Sequence, residues 1–300
     1  MLDPRRLLLL AEVARHDSLT AAAGALGYSP SALSQQVAAL EREAGAPVLE
    51  RLARGVRLTE AGRTLVVAGE RVAAELAAAR GALDALAGLD AGTLRVGAFA
   101  SAWGWLLPGA VTAFRAAHPG VELQLAEVEP PEALGALRAG DLDLAVVFAR
   151  PGAGDPDGLP AELVALDPLR AVLPRAHPLA SRRRVRLEEL AGEPWVQPTR
   201  GCAAMVVEAC AVAGFAPRTV FESDDYGAIQ GFVAAGAGVA LVPELALASR
   251  RDVVAARLAP PAPARRVLAV RRQGAPAAAQ ALVERLREVA RGRRPAVSRG

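Results

Sequence analysis

Lysine is absent: all 35 basic side chains of this 300-residue chain are arginines. With arginine so common, a single one carries little functional meaning, and only a local concentration of them does. Two cysteines and no secretory leader give no disulfide framework and lead us to expect a cytoplasmic protein. Long apolar runs are also missing. Leu7–Leu10 is broken at once by Glu12, Arg15 and Asp17, and Gly231–Pro243 is too short for a bilayer, so no membrane partner is expected. The three histidines do not join any Ser-His-Asp order or metal-ligand cluster, and no phosphate-binding glycine loop appears. No catalytic residue, no metal and no cofactor are therefore expected. The formal net charge of +3 is too small to argue for nucleic acid. Residues 1–58 hold seven arginines against six carboxylates, a local excess of only +1.

What is present is a large apolar fraction, 52%, against 22% charged residues, enough to bury cores in about two domains. Asp3-Pro4 opens a helix, since Asp accepts from free N–H groups and Pro fits the first helical position. Leu7, Leu10 and Ala14 form its apolar face. Ser18 caps a short Ala-rich helix, Thr20–Leu26, which Gly27 can end in the left-handed conformation. Ser29-Pro30 starts a third helix in which Leu33, Val37 and Leu40 recur at the spacing of a buried face. Its early exposed positions, Ser31, Ser34, Gln35 and Gln36, are polar groups suited to base edges and phosphates. The same pattern also fits an ordinary three-helix bundle with a solvated face.

Gly55 then marks the tip of a short hairpin around which Arg51, Arg54 and Arg57 cluster, placed to hold phosphates. Thr59 caps a long helix. Positions 58, 62, 65, 69, 72, 76, 79, 83 and 86 alternate spacings of four and three and are all apolar or small. Leu65, Val72, Leu76, Leu83 and Leu86 are the large members of that stripe. A second copy of the chain is its simplest partner.

Gly88–Gly92 breaks this helix. Leu94–Phe99, Val121–Val128 and Leu142–Phe148 read as strands alternating with helices Trp103–Ala117 and Pro130–Ala139, which implies a parallel sheet. A second block follows: extended Leu169–Leu173, strand Trp195–Gln197, helix Cys202–Gly214, strand Thr219–Glu222, helix Tyr226–Gly236 and strand Val239–Val242. A Pro-rich Ala259–Arg265 stretch leads to strand Val267–Arg271 and helix Ala277–Ala290. The tail from Arg291 is rich in Arg and Pro. G-A-G-V-A-L at 236–241 stands in helix-turn-strand order, so it is not a dinucleotide fingerprint.

Taken together, S-L-T-A-A-A-G-A-L-G-Y-S-P-S-A-L-S-Q-Q-V-A-A-L-E at 18–41 and L-T-E-A-G at 58–62 resemble the LysR-type transcriptional regulators. So do L-L-P-G-A-V-T-A-F-R-A-A-H-P-G-V at 106–121, G-D-L-D-L-A-V at 140–146, H-P-L-A at 177–180 and G-A-G-V-A-L-V-P at 236–243. The resemblance covers essentially the whole chain. It implies an α/β protein overall: an α-rich winged helix-turn-helix over 1–58, a dimerising linker helix over 59–87 and an effector-binding domain over 92–300. That last domain would be of periplasmic-binding-protein type, with one subdomain of 92–164 and 267–290 and another of 165–266. One departure is Val48-Leu49, where the family usually places Leu-Phe, leaving a smaller contact under the wing.

By position, the resemblance assigns DNA contact to Ser29, Ser31, Ala32, Ser34 and Gln35, and to Arg51, Arg54 and Arg57 at the wing. It assigns effector contact to Ala100, Ser101, Phe148, Gln197, Thr199, Gly201, Cys202, Ser223 and Asp224. Ser101 and Thr199 each stand at a strand-to-helix turn whose N–H groups suit an anion, so the effector is expected to be a small anionic metabolite. Asp224 opposes that unless the ligand also carries an amine or hydroxyl. The implied partners are a pseudo-palindromic operator in double-stranded DNA, the small-molecule effector and a second copy of the chain as homodimer or dimer of dimers, with RNA polymerase a further candidate. Alternatives are a redox-sensing regulator of the same family using Cys202 and Cys210, or an enzyme or solute-binding protein. The two cysteines stand about 12 Å apart along a helix, so a disulfide would require local unfolding.

Overall fold

The computed structural model describes residues 1–16, 18–52, 55–86, 92–156 and 158–292. Arg54 and residues 88–91 of the expected break lie outside the described residues, as does the tail from 293; the side chains of Arg51 and Leu86 also lie outside this description. One compact unit is built on the N-terminal elements, to which residues 135–143 and 272–276 contribute, and the other on the sheet-bearing remainder.

The first unit contains α1 (Pro4–Val13), α2 (Leu19–Leu26), α3 (Pro30–Ala44), β1 (Leu49–Arg51), β2 (Val56–Leu58) and α4 (Glu60–Leu86). Its helix ends follow from short polar caps. Asp3 accepts from the Arg5 N–H, Ser18 from Ala21 and Ser29 from Ala32. Gly27 stops α2 at φ 68°, a left-handed conformation open to glycine at little cost. Ala22 and Ala23 are fully buried, so α2 and α3 approach closely over side chains that end at Cβ. Leu7, Leu10, Val37, Leu40 and Val48 form one core cluster, and Val13, Ala22, Ala23 and Leu33 a second. Val13, not Ala14, completes the buried face of α1; Ala14 caps the helix and is exposed.

The small residues of the long helix have a use inside the chain. A Cβ added at Gly69 would stand 2.5 Å from the Leu7 carbonyl oxygen, and one at Gly62 would stand 2.1 Å from that of Val48. The first half of α4 therefore packs on α1 and the wing. Leu65 packs against the core of Leu7, Leu10 and Val48, which corrects its expected place in an outer seam. Leu76 and Leu83 lie farther along and are 58% and 61% exposed in the single chain.

The second unit begins with β3 (Gly92–Ala98), α5 (Ala100–Trp105), α6 (Leu107–Ala117), β4 (Val121–Glu127), α7 (Pro130–Ala139) and β5 (Leu144–Ala149). It continues through β6 (Ala161–Pro174), β7 (Arg184–Val185), β8 (Pro194–Gln197), α8 (Ala203–Val212) and β9 (Arg218–Glu222). The last elements are α9 (Tyr226–Ala234), β10 (Ala240–Pro243), β11 (Val253–Leu258), β12 (Ala264–Arg271) and α10 (Ala277–Gly292). β3 pairs in parallel with β4 and β5, as the alternation of strands and helices implies. The later strands add antiparallel pairs to this parallel core: β12 runs antiparallel to both β5 and β6, and β6 antiparallel to β10 and β11. β6 is one strand of 14 residues rather than the short Leu169–Leu173 segment. Its first half pairs with β12 from Ala161 to Pro168, and its second half pairs with β11 from Arg170 onward. β11 itself escaped the sequence reading, because Ala255, Ala256 and Arg257 carry little strand propensity.

Candidate functional site

Two places bear on function, one in each unit. In the first, Ser29, Ser31 and Gln35 are exposed on the opening turns of α3, with Ala32 and Ser34 partly buried behind them. The Ser29 hydroxyl caps the helix through the Ala32 N–H at 3.1 Å and also lies 3.1 Å from the Ser31 hydroxyl. Gln36 is turned aside, accepting from Arg6 Nε at 3.1 Å. The wing is a two-stranded hairpin in which Glu50 faces Arg57. Arg57 donates to the Glu50 carboxylate at 2.6 and 3.1 Å. That guanidinium is thus partly neutralised in the free chain and must trade a carboxylate for a phosphate to serve DNA. Val48 under the wing is fully buried, and its N–H donates to Glu41 at 2.9 Å, so the smaller side chain still anchors the hairpin.

In the second unit the mapped effector residues converge on a centre that the sequence did not single out. Arg265, at the start of β12, and Asp167, in β6, form an ion pair at 2.9 Å with both side chains 1% exposed. Asp167 also accepts the Leu245 N–H at 3.0 Å. Arg265 donates to the Ser101 hydroxyl at 2.7 Å and to Cys202 Sγ at 3.5 Å. Its guanidinium carbon lies 4.7 Å from the Phe99 ring centroid and 4.8 Å from that of Phe148, and the two rings meet edge to face. One buried cation thereby joins α5, β6, β12 and the start of α8. Surrounding negative groups raise its pKa despite burial, which works in the opposite direction.

Around this centre the expected anion seats are already filled. Asp224 accepts the N–H of Thr199 at 3.1 Å and of Arg200 at 2.8 Å through one oxygen, and Arg200 Nε at 2.9 Å through the other. Burial acts to raise the Asp224 pKa, but these hydrogen bonds outweigh it and bring the group down to about 2. Across from this turn, the Ala100 N–H at the start of α5 lies close enough to the Glu129 carboxylate to favour its charged form. The Glu129 pKa is nonetheless raised, chiefly because burial penalises the charge. Gly201, at φ 57°, lies between: a Cβ there would stand 3.4 Å from Phe148 Cζ and 3.7 Å from Glu129 Oε2.

The mapped residues therefore divide. Ala100, Ser101, Phe148, Gly201 and Asp224 come together around Arg265 and Glu129. Gln197, expected among the effector contacts, is instead 4% exposed and its side chain donates to Thr219 at 2.6 Å. Cys202 lies beneath the centre at 2% exposure, and the Ser223 hydroxyl accepts the Asp225 N–H. The N–H of Thr199, expected to receive an anion, is occupied by Asp224. Arg265, Asp167 and Glu129 were missed. Nothing but the oddity of charged residues beside apolar strands marks them, and among 35 arginines that signal is faint.

Cys202 and Cys210 are both free and buried. Burial pushes the Cys210 thiol up to about 11, which leaves it protonated and a poor nucleophile near neutrality. A separate cavity of about 690 Å³ runs beside α8, lined by Met205, Glu208, Val212, Arg150, Arg186 and Pro260 among others, and by none of the mapped effector residues. Among the described residues no helix is long and apolar enough to cross a membrane.

Residues 4–63 match the bacterial regulatory helix-turn-helix protein, lysR family, and residues 87–291 match the LysR substrate binding domain. The chain belongs to the LysR family of transcriptional regulators. Its members regulate transcription and are not enzymes, and this LysR-type chain carries the family's effector-binding domain. It is 30% identical over 245 residues to the transcriptional dual regulator GltC of Bacillus subtilis, covering 81% of each chain. Against the regulator CbbR of Rhodospirillum rubrum the identity is 31%, over 79% of this chain and 78% of that one. A full-length OxyR variant from Pseudomonas aeruginosa shares the fold at a TM-score of 0.72, with 24% identity, over 98% of this chain and 99% of that one.

Proposed function

We propose that this LysR-type regulator binds a pseudo-palindromic operator as a homodimer or dimer of dimers, through α3 and the β1–β2 wing. It acts in the cytoplasm on double-stranded DNA, with RNA polymerase as a downstream partner. The observation that carries the reading is the exposed polar opening of α3, Ser29, Ser31 and Gln35, held beside an arginine-bearing hairpin. Leu76 and Leu83 supply the dimer contact: two large apolar side chains left this exposed on one helix call for a cover. A small-molecule effector bound around Ala100, Ser101, Phe148 and Gly201 sets the output. Because Arg265 joins elements from both halves of the domain at this point, a ligand here can bias their angle, provided it binds one arrangement more tightly.

Selection of binding sites from a random duplex pool tests the DNA reading: a two-fold repeated half-site supports it, and an unenriched pool removes it. For the effector, a ring introduced by Ala100→Phe fills the mouth of the cleft. Loss of inducer response with DNA affinity intact supports the location. A response that survives Ala100→Phe and is lost in Val212→Trp places the ligand in the cavity along α8 instead.

A further inference from the structure

The 35 arginines are not spread evenly along the chain. Residues 175–189 and 250–258 hold eight of them against three carboxylates, an excess of +5 where the whole chain carries +3. These two stretches form one surface. The Arg175 N–H donates to the Asp252 carbonyl at 3.1 Å, and its guanidinium to the Arg251 carbonyl at 3.2 Å. Farther along, β7 pairs in parallel with β11 and sets Arg184 beside Arg257. All eight arginines are exposed.

Two of the three carboxylates are spent within the patch. Arg182 holds Glu189 at 2.7 Å, and Arg250 holds Asp252 through bonds of 2.6 and 2.9 Å. Arg183, Arg184, Arg251 and Arg257 have no side-chain partner among the described residues. Like charges set side by side on neighbouring strands are destabilising. Arg170, the next residue on the same line across β6, is given Glu244 at 2.5 Å, whereas the fold supplies nothing comparable to Arg184 and Arg257. Charge on the edge strand β7 also discourages pairing with another chain. That use accounts for Arg184 but not for Arg175, Arg250, Arg251 and Arg257, which lie on other segments.

The surface calls for an anion, and its composition selects the kind. None of the exposed large apolar side chains falls in either stretch. A protein partner is held mainly by aromatic and apolar anchors in a desolvated centre, which this face lacks. A phosphate backbone needs only cations, and a guanidinium meets a phosphate through two parallel hydrogen bonds. We propose that the arginine face of β7, β11 and the segments leading into them binds the phosphate backbone of double-stranded DNA. This second, sequence-independent contact lies on the effector-binding unit and is separate from α3 and the wing.

The test is a fluorescence-anisotropy titration of the full-length protein with a labelled random-sequence duplex, long enough to reach beyond the wings, at several salt concentrations. Arg184→Gln with Arg257→Gln should lower the slope of log affinity against log salt by about 2, one for each phosphate contact given up. Arg184→Lys with Arg257→Lys should keep the wild-type slope, which separates lost charge from disturbed strand pairing. Arg115→Gln, at an exposed arginine of α6 outside the patch, should leave the slope unchanged. Affinity and slope unchanged in the glutamine pair, or an equal fall in Arg115→Gln, overturns the proposal. Arg51→Ala reports the wing in the same titration. A slope that falls only there retains the wing and overturns the second contact; one that falls only in the glutamine pair retains the second contact and overturns the wing. Polyglutamate is the competing probe. If the glutamine pair loses polyglutamate binding while DNA binding holds, the face belongs to an acidic protein segment and the DNA contact is overturned.

Discussion

Arg265 and Asp167 stand 2.9 Å apart at the junction of β12 and β6, and neither can reach water. A buried pair of this kind contributes little net stability against an apolar pair, but removing one partner strands the other charge. Asp167→Ala should therefore destabilise the larger unit by about 3–5 kcal/mol. Chemical denaturation followed by Trp195 fluorescence reads that unit. A loss below about 1 kcal/mol would mean that Ser101 and the two rings hold the guanidinium unaided.

The crossing of α1 and α4 predicts a second effect, in the N-terminal unit. Gly69→Ala places a methyl group 2.5 Å from the Leu7 carbonyl, where backbone and not a flexible side chain must yield. Overpacking of this sort costs about 1–3 kcal/mol. The melting temperature should fall, and operator affinity with it, because α1 supports α3. An unchanged melting curve would show that the two helices separate freely.

Gln35→Ala should relax base preference by about 1–3 kcal/mol at one operator position while leaving nonspecific binding unchanged. Arg51→Ala should weaken all sequences alike and reduce the slope of log affinity against log salt by about 1. Arg57→Ala should do less, since Glu50 already claims that side chain. Gel-shift titrations at several salt concentrations separate the three. Equal loss of preference in all of them would remove the division between reading and anchoring.

Leu76→Asp would place a charge in the proposed seam, with a cost of several kcal/mol per copy if the helices stay together. Light scattering should report monomers, or weaker assemblies held by the larger unit alone. An intact oligomer with full operator affinity would return Leu76 to the role of a solvated side chain.

Asp224 gives a dependence on pH whose sign follows from its depressed pKa of about 2 against an ordinary 3.8. The stabilisation of the 199–200 turn is complete above the ordinary value and fades as pH falls toward the depressed one. The stability gap between wild type and Asp224→Asn should thus narrow between about pH 4 and pH 2. A gap that stays constant over that window would mean that the hydrogen bonds to the turn do not favour the ionised group.

Much of this architecture was legible because periodicity and caps are local. Ser18, Gly27 and Ser29 mark helix ends within a few residues of the groups they satisfy, and Leu33, Val37 and Leu40 share a face by spacing alone. The long helix was legible as a stripe but not as two functions. Leu65 and Leu76 look alike in a heptad; only the fold shows that α1 covers one and not the other. The site was harder. Arg265 and Asp167 are 98 residues apart, and no local rule brings them together. Thr199 was read as offering its N–H because the partner that consumes it, Asp224, comes from another strand end, 25 residues on.

β6 is a single uninterrupted strand that serves two sets of neighbours, β12 along its first half and β11 along its second. The two halves of the larger unit consequently share a rod rather than a loop. Such a connection has no slack to pay out, so turning about the strand asks less of the backbone than drawing the two sets of strands apart. Pro168 and Leu169 lie where the partners change, and Leu169 there bonds to the carbonyl of Pro263 in the second connecting segment. Whatever binds near Arg265 would then be reported as an angle of twist between the two sets of strands that share β6.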